Sequence, residues 1–181
     1  SAYDIAEDVY GNDPSDVFLM QLEVPVSTIE FVAQKVFERG NRVILNPAPA
    51  RQLSDDLLNC VDIITPNEVE AEILTGIKVV DAASAEEAAD KLMSTGVKNV
   101  IITMGAAGAF LHTDKISKLI PVVPVRAVDT TAAGDVFNGA LAVAISEGKD
   151  LEEAVVFANK AASISVTRMG AQASAPYRKE I

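Results

Sequence analysis

Apolar residues along the chain alternate between short unbroken runs and longer stretches with helical spacing. The clearest runs cover residues 17–22, 42–46, 61–64 and 99–103. Such runs are typical of strands that are buried on both faces, as in parallel sheets. The stretches between them repeat apolar residues every three or four positions, as amphipathic helices do. This alternation predicts an α/β fold in which helices flank a layered, largely parallel sheet.

Six helices are predicted, with ends indicated by polar capping residues and glycines. They cover residues 27–38, 54–59, 67–74, 84–94, 133–147 and 150–166. Ser84 is expected to begin the fourth helix, because Glu87 completes the spacing of a capping box. Two further runs, 109–112 and 119–123, are joined by a turn too short for a crossover helix, so antiparallel or edge strands are expected there. No linker divides residues 1–181, which predicts a single domain.

The balance of charge narrows the possible partners. The 181 residues include 26 Asp and Glu against 15 Lys and Arg, which gives a formal net charge of −11. Such an acidic chain is a poor candidate for binding nucleic acid non-specifically or an anionic membrane surface. No apolar run approaches the ~18 residues that a membrane helix needs. The single cysteine, Cys60, cannot form an internal disulfide; a reducing compartment, and therefore the cytoplasm, is expected.

The segment from Asp129 to Asp135 reads Asp-Thr-Thr-Ala-Ala-Gly-Asp and leads into a predicted helix. Its small residues leave backbone amides uncovered, and a helix start offers free N–H groups that can hold phosphate. A carboxylate beside such a site, at Asp135, can take a proton from a sugar hydroxyl. The alternative is that Asp129 or Thr131 only caps the helix and Asp135 only complements its dipole.

Two other candidate loops follow predicted strands. Asn67 and Glu70 are three residues apart and share a helix face; an amide and a carboxylate can order the waters of Mg²⁺ near phosphates. The alternative for this pair is a capped, solvated helix start. In the other loop, Thr103, Gly105 and Gly108 allow close backbone approach to a nucleotide, although a hairpin explains them equally. Neither GxGxxG nor a Walker loop is present, which argues against Rossmann dehydrogenases and P-loop NTPases.

Four segments together resemble the ribokinase family of PfkB-type carbohydrate kinases. They are residues 46–50 (NPAPA), 62–72 (DIITPNEVEAE), 127–135 (AVDTTAAGD) and 167–174 (TRMGAQAS). The third segment is highly specific for this group, and the order and spacing match from about residue 17 to the last residue. The resemblance implies a ribokinase-like α/β fold that transfers the γ-phosphoryl group of ATP to the 5-hydroxyl of D-ribose.

The resemblance also implies roles for individual residues. Asp135 matches the catalytic base, which also binds the substrate, and Glu23 matches a glutamate that contacts the sugar. The anion hole is matched by Ala132, Ala133 and Gly134. Positions that serve ATP and its Mg²⁺ are matched by Asn67, Glu70, Thr103, Gly105, Gly108, Gly134 and Asn159, the last of these near the adenine.

Members of this family are activated by a monovalent cation, usually K⁺. The matching positions are Asp129, Thr131, Ser165, Arg168, Gly170 and Ser174. Arg168 is expected to contribute only its backbone carbonyl, because a guanidinium group repels a cation.

The resemblance leaves part of the family pattern without a match. Family members begin with an N-terminal portion that carries the first strands, most ribose contacts and a small β lid through which they dimerise. We therefore expect this chain to be the C-terminal, nucleotide-binding part, with those strands and the lid missing and with apolar surface exposed on its first strand. Two alternatives stay open: a non-catalytic nucleotide-binding fragment, and a related kinase for another furanose or a nucleoside.

Overall fold

The computed structural model describes residues 16–181, in which six strands form one sheet in chain order. Residues 1–15 of the predicted domain lie outside the described residues. The first four strands are parallel, and the last two continue the sheet in antiparallel pairs. The strands are β1 (Val17–Gln21), β2 (Arg42–Asn46), β3 (Ile63–Ile64), β4 (Asn99–Thr103), β5 (Ala109–His112) and β6 (Ser117–Ile120).

Helices cover both faces of this sheet, so the predicted layered α/β fold is confirmed. Those on one face are α1 (Val26–Glu38), α2 (Asp55–Asn59), α3 (Glu68–Thr75) and α4 (Ala82–Met93). Those on the other face are α5 (Ala133–Ser146) and α6 (Leu151–Ser165), which pack against each other. No helix within residues 16–181 is both long and apolar enough to cross a lipid bilayer.

The unbroken apolar runs serve two cores at once. In β2, Val43 and Leu45 pack with the helices of the first face, while Ile44 packs with α5 and α6. Successive side chains of a strand point to opposite faces, so a strand between two helical layers needs apolar residues at every position. The outer strand β1 differs: it lies at an edge of the sheet as described, and Leu19 is 37% exposed. The expected exposure of apolar surface on the first strand is confirmed.

The helix predicted to begin at Ser84 begins earlier. Asp81 is the N-cap of α4, and its carboxylate accepts a hydrogen bond from the Ser84 amide at 2.9 Å. The Ser84 hydroxyl in turn accepts from the Asp81 amide at 3.0 Å. The prediction was wrong because Asp81 and Ser84 also have capping-box spacing, and the overlapping Ser84–Glu87 pair has no local feature that excludes it.

Three strands also differ from their predicted bounds. The first was expected over residues 17–22, but β1 ends one residue earlier, at Gln21. The third strand was expected over residues 61–64, but the Val61 amide bonds to Leu58 and continues the turn after α2. The last strand was expected over residues 119–123, whereas β6 ends at Ile120. Pro121 follows directly and has no N–H to donate to a strand ladder, so the chain leaves the sheet there.

Candidate active site

A cleft of about 410 Å³ lies where the carboxyl ends of the parallel strands meet the start of α5. Ligands of open α/β sheets bind at this edge, because loops from several strands converge there. Most of the predicted site residues line it: Glu23, Asn67, Glu70, Thr103, Gly105, Gly108, Ala132, Ala133, Gly134, Asp135 and Asn159. The structure thus brings the candidates for sugar, anion and nucleotide binding into one space.

The start of α5 has no side-chain cap. Its N-cap is Ala132, in the left-handed conformation with φ of 60°. Asp129 instead accepts a hydrogen bond from the Thr131 amide at 2.9 Å, within the preceding loop. The alternative that Asp129 or Thr131 caps this helix is therefore wrong. The Ala133 amide bonds to the Thr130 carbonyl at 3.2 Å, which closes the turn before the helix. Without a side-chain cap, the next amides, those of Gly134 and Asp135, remain available to an anion in the cleft.

Asp135 lies in the first turn of α5, and its exposed carboxylate lines the cleft. One oxygen, Oδ1, accepts a hydrogen bond from Nε2 of Gln21 at 2.9 Å. Gln21 is the last residue of β1, two positions before Glu23, which also lines the cleft. The second oxygen, Oδ2, is the atom that Asp135 can offer to a substrate hydroxyl.

Asn67 and Glu70 were interpreted from the sequence either as a site near Mg²⁺ or as a capped helix start, and their positions are compatible with both. Asn67 is the N-cap of α3, where its Oδ1 accepts from the Glu70 amide at 2.8 Å. Glu70 Oε2 accepts from the Asn67 amide at 2.9 Å, which completes a capping box. Burial raises the pKa of Glu70 even though these bonds to Asn67 act in the opposite direction. Both residues line the cleft, so Glu70 Oε1 and Asn67 Nδ2 are the atoms available to a ligand.

The donor set of this cleft suits one kind of metal binding. Within residues 16–181, no group of three or more His, Cys, Asp or Glu residues could hold a metal ion. The carboxylate of Glu70, which is half-buried, therefore has no further protein ligands with which to enclose a metal ion. A single carboxylate does fit Mg²⁺ that arrives on nucleotide phosphates, because that ion keeps several of its waters.

The turn between β4 and β5 contains two glycines that have different structural roles. A side chain at Gly108, where φ is 109°, would overlap the carbonyl oxygen of Ile120. The close approach of β6 therefore explains Gly108 without a ligand. Gly105 has φ of 51° and open space around it, so it leaves the cleft wall bare. Thr103 connects this turn to α3, because its amide bonds to the Pro66 carbonyl at 2.9 Å.

Asn159 is a buried residue of α6 that lines the cleft and an adjoining cavity. Its Nδ2 donates to the Ile120 carbonyl at 2.9 Å and so supports the end of β6. The adjoining cavity of about 280 Å³ is walled by apolar residues from the segment after β6, among them Val122, Val123, Pro124 and Val125. This wall was not predicted, because residues 122 and 123 were expected to belong to the last strand. A flat apolar group fits such a cavity.

The residues matched to the cation site are partly brought together. Asp129 Oδ2 accepts from the Gly170 amide at 3.0 Å, and its other oxygen accepts from Thr131. Hydrogen bonds from the Thr131 side chain and from the Gly170 and Thr131 amides lower the pKa of Asp129. This carboxylate thus joins the loop before α5 to the segment after α6, and an ionised oxygen ligand is available there.

The other members of that set hold the surrounding loop. The hydroxyl groups of Ser165 and Ser174 are buried and donate to nearby carbonyls, those of Ala162 and Ala171. The Arg168 guanidinium pairs with Glu180 at 2.6 Å. That side chain is thus engaged with the C-terminal segment, and the proposed role of the Arg168 carbonyl stays a prediction.

Several residues of the site were missed from sequence. Asn46, Thr65 and Asn138 line the cleft together with Gln21 and are linked by side-chain hydrogen bonds. Their one sequence signal is position, because Gln21, Asn46 and Thr65 end or directly follow strands of the predicted sheet. Asn138 carries no such signal within its helix.

Known proteins share both the sequence and the fold of this chain. Residues 9–178 match the family described as pfkB family carbohydrate kinase. A curated relative, the ribokinase of Haemophilus influenzae, is 52% identical over 166 residues; the match covers 92% of this chain and 54% of the relative. The chain thus spans about half the length of the curated relatives it matches.

Solved structures agree with that comparison. The crystal structure of ribokinase from Thermotoga maritima matches with a TM-score of 0.84 and 46% identity, over 91% of this chain and 55% of that one. Arabidopsis thaliana ribokinase, solved in complex with ribose and ATP, matches with a TM-score of 0.87 and 37% identity, over 91% of this chain and 54% of that one.

Proposed function

The chain belongs to the pfkB family of carbohydrate kinases, and on that premise we propose that it acts in phosphoryl transfer from ATP to a sugar. The proposed acceptor is the 5-hydroxyl of D-ribose, which the ribokinases among its relatives support. The observation that carries the proposal is the position of Asp135, whose carboxylate lies in the same cleft as the uncapped start of α5. A base and an anion site side by side are what phosphoryl transfer to a hydroxyl requires.

In the proposed reaction, Asp135 Oδ2 accepts the proton of the sugar hydroxyl as the hydroxyl oxygen attacks the γ-phosphorus of ATP. The bond from that phosphorus to the bridging oxygen breaks, and ADP leaves. The amides of Ala132 and Gly134 stabilise the charge on the transferred group, and the Ala133 amide, bonded to the Thr130 carbonyl, holds the turn between them. Glu70 and Asn67 would hold the hydrated Mg²⁺, which neutralises phosphate charge when bound.

The neighbouring cavity supports the same orientation of the nucleotide. Its apolar wall of residues 122–125 fits the adenine ring, and it shares Gly105, Ala133 and Asn159 with the cleft. The base would lie there, with the phosphates extending to the start of α5. Glu23, in the cleft on the side of β1, would contact the sugar. K⁺ bound at Asp129 and the neighbouring loop would fix the loop that leads to the anion site.

Replacement of Asp135 tests this function. Asp135→Asn and Asp135→Ala are expected to lower ribose-dependent ADP release by about 10²–10⁴-fold, because no base is left to take the proton. The affinity for MgATP, measured by calorimetry, is expected to stay within about threefold of wild type, since the backbone anion site remains. Glu23→Gln is the matched control, in which KM for ribose rises and the MgATP affinity is kept. Retained turnover in Asp135→Ala would contradict the proposed base.

A second candidate function rests on the length of the match. Because the chain spans about half of its relatives, a nucleotide-binding part without turnover is the alternative. MgATP binding by the wild-type chain without ADP release would favour it. A panel of furanoses and nucleosides would separate ribose from a related substrate.

Cytoplasmic location and dimerisation of the complete protein through a lid are further proposals, which cell fractionation and light scattering would test.

A further inference from the structure

We infer that Gln21, Asn46, Thr65 and Asn138 form a positioning network that sets the carboxylate of Asp135 and the first turn of α5. The four side chains connect the carboxyl ends of the first three strands to the helix that carries the anion site. This inference deepens the proposed function and rests on it. None of the four is proposed to touch the reacting atoms, so they are positioning residues rather than catalytic ones.

The network reaches Asp135 through Gln21. Nε2 of Gln21 donates to Asn46 Oδ1 at 2.8 Å and to Asp135 Oδ1 at 2.9 Å. One side-chain amide nitrogen has two hydrogens, so both bonds form together. The reversed amide would place its oxygen against two acceptors, which fixes the orientation of Gln21. The Asp135 carboxylate is thereby held by a strand end opposite its own helix.

The other arm runs through the interior to the anion site. Asn46 Nδ2 donates to the Thr65 carbonyl at 3.0 Å. The Thr65 hydroxyl donates to Asn138 Oδ1 at 2.6 Å, and Asn138 Nδ2 donates to the Gly134 carbonyl at 2.9 Å. Every side chain in this series uses a donor and meets an acceptor. The series therefore forms a continuous path from Asp135, through the strand ends, to Gly134 in the first turn of α5.

The burial of Thr65 and Asn138 indicates that their hydrogen bonds have a role beyond packing. Thr65 is 1% exposed and Asn138 is 2% exposed, so both have been removed from water. A buried amide or hydroxyl is tolerated only when it is hydrogen-bonded, and an apolar residue would fill either place at a lower desolvation cost. Asparagine is also a poor helix former in the interior of α5. Because packing alone would favour apolar residues here, the polar choice points to control of position.

The geometry of α5 explains why such control is needed. Its N-cap, Ala132, has the left-handed conformation and supplies no side-chain hydrogen bond. A helix start without a cap frays unless other contacts hold it. Asn138 supplies such a contact from the next turn, because it holds the Gly134 carbonyl. The amides of Gly134 and Asp135 can then stay open for a phosphate and still keep a fixed direction.

Thr65→Val and Thr65→Ser form a matched pair that tests the buried arm. Valine keeps the shape of threonine but leaves Asn138 Oδ1 without its donor, whereas serine retains the hydroxyl. Amide hydrogen exchange is read at Val136, which bonds to the Ala132 carbonyl in the first turn, and at Leu141 in the middle of α5. We expect Thr65→Val to speed exchange at Val136 by on the order of tenfold more than at Leu141. Thr65→Ser should stay within about twofold of wild type at both.

Equal acceleration along the whole of α5 would overturn the inference, because it would show loss of packing rather than of positioning. Unchanged exchange at Val136 in Thr65→Val would overturn it as well. The measurement needs neither nucleotide nor turnover, so it is separate from the proposed function. Failure of the wild-type chain to bind MgATP would instead contradict the proposed function.

Gln21→Met tests the other arm at a half-buried strand end, where folding is less at risk. Methionine keeps the length of the side chain and removes both donors. The three-bond couplings of the Asp135 β-protons report how many rotamers that side chain adopts. We expect one rotamer in the wild type and averaging in Gln21→Met; identical couplings in the two proteins would overturn the role given to Gln21.

Discussion

Glu70 shows how one residue can serve both the fold and a ligand. Its Oε2 completes the capping box of α3 by accepting from the Asn67 amide, while Oε1 remains available to a ligand in the cleft. Burial raises its pKa, so the folded chain holds the protonated form more readily than an unfolded chain does. The charged form at neutral pH therefore costs stability, and a functional need for that charge would explain why it is kept.

Glu70→Gln is expected to separate these two roles. Glutamine can still accept from the Asn67 amide but has no charge to bury, so the variant should unfold at the same or a higher temperature at pH 7. The stability that Glu70 contributes is complete below the ordinary glutamate pKa of ~4.3 and is lost as the pH rises through the raised value. The gain from glutamine should therefore shrink as the pH falls towards 4.

The same variant is expected to bind MgATP about 10–100-fold more weakly, as when a group that holds metal-bound water is removed. Calorimetric unfolding between pH 4 and pH 8 and titration with MgATP would measure the two effects. Glu72→Gln, at an exposed position of α3 outside the cleft, is the control for charge. A variant that is less stable at pH 7, or that binds MgATP as tightly as wild type, would contradict the dual role.

Among the elements, the turn between β4 and β5 offers a sharp contrast. At Gly108 a methyl group would overlap the Ile120 carbonyl oxygen and lie 3.0 Å from Cα of Pro121, both of them backbone atoms. At Gly105 no atom lies within 4 Å, and only the positive φ opposes a side chain. Gly105→Ala should therefore cost about 1 kcal/mol of unfolding free energy. Gly108→Ala should cost about 3 kcal/mol or more, because β6 must also shift.

Urea unfolding of the two alanine variants would measure this difference. Similar losses at the two positions would show that backbone conformation, rather than the close approach of β6, dominates the turn. Nucleotide titration adds a second comparison. Gly105 forms part of the open cleft wall, so alanine there should weaken MgATP binding even though the fold is nearly intact.

The elements also show what a sequence can and cannot predict. β2, β4 and β5 have the bounds expected from their apolar runs, because burial on both faces leaves an unambiguous local pattern. The start of α4 was misplaced because two capping-box pairs overlap, and only the folded backbone selects Asp81. Local rules therefore locate elements well and their ends less well.

Some residues of the candidate site could likewise be predicted from the sequence, and others could not. Residues that follow strand ends, such as Asn67, could be placed at one edge of the sheet from the order of elements alone. The contact of Gln21 with Asp135 spans 114 positions, and that of Thr65 with Asn138 spans 73. No local pattern carries such a contact, because it depends on how α5 packs across the strand ends. The left-handed Ala132 was also missed, since alanine seldom adopts that conformation.

For the whole molecule, the net charge of −11 means that screening by added salt contributes to the stability of the fold. Like charges repel in the compact state, and added ions screen that repulsion whatever their identity. A bound cation must therefore be detected as a difference between salts at equal ionic strength. Asp129 is the place to look, because it joins the loop before α5 to the segment after α6 and its pKa is lowered by hydrogen bonds from Thr131 and Gly170.

We expect the wild-type chain to melt about 2–4 °C higher in KCl than in tetramethylammonium chloride of equal ionic strength, since an ion that binds only the folded state stabilises it. Asp129→Asn should remove the difference, whereas Glu87→Gln, the same change of charge on exposed α4, should keep it. The lowered pKa keeps Asp129 ionised to below its usual ~3.9, so the difference should persist at pH 5. Superimposable melting curves in the two salts would mean that screening alone acts. A difference that survives in Asp129→Asn would place the cation elsewhere on the molecule.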